Sequence, residues 1–148
     1  MMKKVWLLYI LVSSVLFSCK KDDAVEVSTT PAIEFVSISP GTAVEYQDKI
    51  TIIISYTDGD GDLGENTPDV KNLYLTDTRN NVTYQYRISQ LAPTGSAIAI
   101  KGTLAVELKN TAITNGSTSQ SVSYLLYVKD RAGNASNTVT TSAITVTQ

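Results

Sequence analysis

Asp58, Asp60 and Asp62 alternate with Gly59 and Gly61, and Leu63-Gly64 lead on toward Asp69. Three carboxylates at every second position crowd like charges into one short turn, where they repel one another. A hard divalent cation reverses the sign of that interaction. Calcium takes several oxygen ligands at once, and glycine lets the backbone bend around it. Magnesium fits less well, because it demands stricter geometry and keeps its waters. Asp-Gly alternation also builds ion-free turns, since Asp side chains bond the backbone two residues on. Both readings are open at this level; a calcium site is the expectation carried forward.

Other chemistries are narrowed by composition. The chain of 148 residues has no histidine and one cysteine, Cys19. That removes His-dependent triads, Cys/His nucleophilic pairs, structural zinc sites and any intrachain disulfide. The acids are packed in one loop and not spread across a cleft, so they do not form a glycosidase pair. An enzyme is therefore not expected. Charge is near balance, with 12 basic and 14 acidic residues, and no basic patch calls for nucleic acid.

Counted from Asp58, the acids stand at loop positions 1, 3, 5 and 12, a spacing similar to an EF-hand. Leu63, however, occupies the place of the EF-hand glycine, Gly64 comes one residue late, and Asp69 replaces the bidentate glutamate. Strands, not helices, are predicted on either side. An EF-hand is rejected, while the alternating carboxylates keep their chemistry.

The chain opens with Lys3 and Lys4, then an apolar run over residues 5–12 and small residues to Ser18. This is signal-peptide patterning, too short and interrupted for a membrane span. Leu16-Phe17-Ser18-Cys19 resembles the lipobox of bacterial lipoproteins, with Phe17 bulkier than the family usually places there. The resemblance implies that Cys19 is lipidated and becomes the new N-terminus. Lys20-Lys21-Asp22-Asp23 is similar to the export signal of Bacteroidota-type surface lipoproteins, which implies the outer leaflet of the outer membrane. Residues 1–18 are thus read as a lipoprotein signal peptide, 19–31 as lipidated cysteine and flexible tether, and 32–148 as the folded domain.

That domain must position the loop. Thr, Ser, Val, Ile and Tyr are abundant, and period-2 alternation recurs between turn signals. Strands are predicted over 33–38, 49–57, 70–76, 82–89, 98–108, 121–129 and 138–146. Ile50, Ile52, Ile54 and Tyr56 share one face. So do Leu73 and Leu75; Val82, Tyr84, Tyr86 and Ile88; Ile98, Ile100, Leu104, Val106 and Leu108; and Tyr124, Leu126 and Val128. Gly102 is expected to mark a bulge or a change of sheet, and a parity change between Val139 and Ile144 a second bulge. The fold class is all-β, an antiparallel seven-strand β-sandwich.

Residues 124–134, Tyr124 to Lys129 followed by Asp130-Arg131-Ala132-Gly133-Asn134, resemble the penultimate strand and following turn of bacterial immunoglobulin-like and fibronectin type III-like domains. The resemblance implies that Tyr124 is a tyrosine corner, tying a loop to its strand. In such a sandwich the loop after the second strand and the loop before the last share one end. The candidate metal ligands are accordingly Asp58, Asp60, Asp62, Asp69, Asp130 and Asn134. The expected role is a membrane-anchored binding or accessory module contacting a glycan or an outer-membrane protein. The alternative is a purely structural envelope subunit. Tyr74 and Tyr127 are predicted to face outward, and an exposed tyrosine pair would favour binding.

Overall fold

The computed structural model describes residues 27–148, and all regular structure among them is β. Cys19, Lys20, Lys21, Asp22, Asp23 and the signal segment lie outside the described residues. One sheet has the order β1 (Ala32–Ser39), β3 (Ile50–Asp58), β6 (Ile100–Leu108). A second runs β5 (Thr83–Tyr86), β4 (Leu73–Asp77), β8 (Tyr124–Val128), β9 (Val139–Thr140). A third runs β2 (Thr42–Val44), β10 (Ile144–Thr147), β7 (Ser119–Val122). Alternation in these strands turns Ile50, Ile52, Ile54, Leu73, Leu75, Tyr124, Leu126, Val128 and Val146 into one buried cluster. Apolar side chains from all three sheets meet in that core, giving a sandwich-like, all-β body.

Where seven continuous strands were expected, there are ten segments among the described residues. The runs 121–129 and 138–146 each cross from one sheet to another. At the crossing, Ser123 O accepts from Thr78 N (3.2 Å) and Thr78 Oγ1 (2.9 Å). Buried Thr141 closes the gap opposite: its N–H donates to Tyr124 O at 2.9 Å and its Oγ1 accepts from Tyr124 N at 3.0 Å. The parity change between Val139 and Ile144 is therefore a change of sheet. Gly102, in contrast, sits in an unbroken ladder opposite Tyr56. A Cβ there would stand 2.8 Å from the Tyr56 hydroxyl, so the glycine makes room for a ring. The irregularity falls in β1, where the register shifts between Phe35 and Ser37. β2, which alternation did not reveal, pairs parallel with β10. Val82 and Ile98 are exposed and precede their strands.

The pole formed by the start of β8 and the end of β4 carries a buried ion pair. Arg79 Nη2 lies 2.6 Å from Asp77 Oδ2, both side chains almost wholly buried. The guanidinium also donates to Ala112 O, Gln120 Oε1 and Thr111 Oγ1. Thr111 Oγ1 is in turn 3.3 Å from the buried Tyr124 hydroxyl, which ties the loop after β6 to β8. Removing one partner of such a pair strands the other charge, whereas exposed pairs contribute little. Arg79→Ala is expected to cost about 3–5 kcal/mol in urea unfolding. Lys49→Ala, which breaks the half-exposed Lys49–Glu107 pair, is expected to cost less than about 1 kcal/mol. Equal losses would contradict this assignment.

Candidate metal centre

Strand parity inters the first carboxylate. Asp58 ends β3 on the face of Ile50, Ile52 and Ile54, opposite Ile100, and is completely buried. The chain then turns on Gly61 and Gly64, both with positive φ, 72° and 93°. Each also lies against foreign backbone: a Cβ would come within 2.4 Å of Ile98 O at Gly61 and 2.3 Å of Ser89 O at Gly64. Only glycine satisfies both demands. Leu63 is fully buried and bridges to Asp130, so the residue that breaks the EF-hand pattern anchors the loop.

Asp58, Asp60 and Asp62 each bring an oxygen within 4.8 Å of the others, and the three could hold a metal ion. Two ligands of one calcium at about 2.4 Å stand at most about 4.8 Å apart, so the spacing fits. Asp58 Oδ2 accepts from Leu63 N at 2.8 Å, and Asp62 Oδ2 from Ala132 N at 3.0 Å. The Oδ1 atoms of Asp58, Asp60 and Asp62 are buried with no hydrogen-bond partner. Buried polar atoms are ordinarily satisfied. Neither salt bridge among the described residues touches the loop. Arg131 donates to Gly64 O at 2.8 Å, and its charge partly offsets the burial that raises Asp62.

Electrostatics reflect this arrangement. Burial, with the neighbouring Asp60 carboxylate acting in the same direction, pushes Asp58 up to about 6 although the Leu63 amide opposes it. Burial also raises Asp62, followed by the charges of Asp130 and Asp60. An empty loop thus takes up a proton in mild acid. At neutral pH a bound metal ion could offset the same charge.

The six candidate ligands do not all converge. Asp130 is buried beside the loop, but its Oδ1 accepts from Asn134 N (2.7 Å) and its Oδ2 from Asn134 Nδ2 (2.8 Å). Asp130 and Asn134 satisfy each other and build the facing turn, whose Arg131 N donates to Asp62 O at 3.3 Å. Asp69 is exposed and stands apart from the three-carboxylate group. The EF-hand count that included it presupposes a loop wrapped on one ion, and residues 65–72 instead lead away to β4. Pattern reading also missed Leu63, the Ala132 amide and residues 27–28 as parts of the site. Asp58 was legible as buried from the parity of β3; nothing marked residues 27–28.

Tyr74 and Tyr127 form a cross-strand pair on the face of β4 and β8 opposite the core, ring centroids 4.6 Å apart and 7° from parallel. The Tyr74 hydroxyl donates to Lys71 O at 3.0 Å, and Lys129 Nζ lies 5.8 Å from its ring centroid. Compared with known proteins, the chain matches no family model and no curated sequence.

Because folding raises the Asp58 pKa from 3.8 to about 6, the ion-free folded state binds more protons than the unfolded chain between these values. This group's contribution therefore worsens as pH rises through that window. Asp58→Asn removes the charge while its amide oxygen still accepts from Leu63 N–H. In chelator at neutral pH the variant is expected to be the more stable, by on the order of 1–3 kcal/mol after allowing for screening. Below about pH 4 the advantage disappears. For a loop that holds calcium, the order is expected to reverse at neutral pH when the ion is added. Melting curves at both pH values, with chelator and with calcium, check each sign.

Proposed function

We propose that this chain is a lipid-anchored outer-membrane protein, exposed at the cell surface. Its single immunoglobulin-like β-sandwich serves as a non-catalytic binding or accessory module with a calcium-braced acidic loop. The observation that carries the reading is the set of three buried aspartate oxygens with no hydrogen-bond partner, on carboxylates that neither described salt bridge reaches. Calcium suits oxygen-only donors and tolerates irregular shells completed by backbone carbonyls and water. Asp58, Asp60 and Asp62 would hold the ion, and its charge would offset their repulsion.

The anchor rests on Cys19 following an apolar run and preceding Lys20-Lys21-Asp22-Asp23. One acyl chain holds a protein only marginally, and two or more hold it firmly. The Tyr74–Tyr127 pair, with Lys129 beside it, supports a contact surface for a glycan or an outer-membrane protein. The seclusion of the aspartate oxygens supports the second reading, a structural envelope subunit whose ion acts on the fold alone.

Titration calorimetry is expected to show heat with calcium and a weaker response to magnesium, and calcium should raise the melting temperature by several degrees. Absence of both effects leaves the loop a plain turn. In cells, labelled palmitate is expected to enter the wild-type protein, and Cys19→Ala to lose both label and membrane association. Retained label in that variant would refute the anchor.

A further inference from the structure

The chain enters the domain across the acidic loop itself. Gly59 N–H donates to Ser28 O at 2.8 Å, and among the described residues this is the one main-chain hydrogen bond that joins residues 27–30 to the body. Thr30 N–H turns back to Ser28 Oγ at 3.1 Å. A Cβ at Gly59 would stand 2.2 Å from Val27 O and 2.6 Å from Ser28 O. Residues 27–28 therefore lie directly on the peptide that separates Asp58 from Asp60. β1 follows at once, with Ala32 opposite Thr57. Residues 27–30 are themselves exposed, so little burial holds them in place.

The other end of the chain leaves from the opposite pole. Thr147 pairs with Val44, and its carbonyl accepts from Glu45 N at 2.8 Å. The carboxylate cluster is thus at the entry pole. Seven residues separate Cys19 from Val27, and the eight steps between them reach no more than about 29 Å even fully extended. An attachment at Cys19 puts the ion at the membrane-facing end of the domain, with the far pole and the sheet faces free for partners.

We propose that the acidic loop is a cation-operated clasp for the tether: an ion held by Asp58, Asp60 and Asp62 fixes Gly59 and thereby docks residues 27–30. This rests on the calcium-site reading above. The mechanism is mechanical and local. Gly59 lies between two of the three carboxylates, so repulsion between them in the ion-free loop displaces the amide that holds Ser28. A bound cation draws them together and returns that amide to place. Cation concentration then sets how firmly the domain is oriented on its attachment. By linkage, a docked tether also tightens the ion.

Hydrogen exchange on the full-length chain in detergent micelles tests the clasp, alongside calorimetry with calcium alone. Calcium is expected to slow exchange of the Gly59 and Thr30 amides by about tenfold or more relative to chelator. Gly59→Ala should keep the calcium heat and lose that protection. Asp60→Asn should leave exchange at residues 27–30 indifferent to calcium, and this comparison decides the matter if Gly59→Ala does not fold. Calcium heat with unchanged exchange at Gly59 and Thr30 in the wild type overturns the clasp and leaves the ion site standing. No calcium heat overturns both.

Discussion

A carboxylate at the inward-facing end of a β-strand is the constraint on which the acidic pole depends. Period-2 geometry carries the face of Ile50, Ile52 and Ile54 on to Asp58, which is wholly buried. Burying a charge is tolerable only when it is paired or hydrogen-bonded. The loop answers in part, with backbone amides from Leu63 and Ala132 for Asp58 and Asp62. Three further oxygens have none. The glycines, the buried Leu63 and the facing Asp130–Asn134 turn hold those oxygens together where solvent would let them separate.

The two poles solve the same problem in different ways. At Asp77 the compensating charge is covalently part of the chain, since Arg79 folds back two residues and adds donors to Thr111, Ala112 and Gln120. That pole is permanently neutralised. At Asp58–Asp60–Asp62 neither described salt bridge plays this part, and the charge of Arg131 only partly offsets the burial that raises Asp62. On the reading proposed above, a cation bound at this pole would give the fold one fixed and one exchangeable lock. The acidic loop lies where residues 27–28 lead into the domain.

Between the poles, packing follows ordinary sandwich logic with two local devices. Thr141 and Ser123 allow paired strands to change sheets without leaving buried backbone groups unmet. Asn137 extends the ladder sideways, its side chain bonding both N–H and C=O of Ile33 as a strand neighbour would. These contacts join sheet edges that would otherwise be free.

Alternation in the sequence by itself determined the all-β class, the inward faces of β3, β4 and β8, and the crowding of three carboxylates in one turn. Those properties depend on residue type at a period of two, and local chain geometry enforces that period. Tertiary contact chose among Asp69, Asp130 and Asn134, because whether a side chain meets an ion, a neighbour or water depends on segments distant in sequence. Asp130 found Asn134, Asp69 found solvent, and residues 27–28 came to lie on Gly59 through backbone contact that no residue pattern encodes. The sheet changes at Ser123 and Thr141 were hidden for the same reason: hydroxyl-to-backbone bonds across the fold have no signature along the chain.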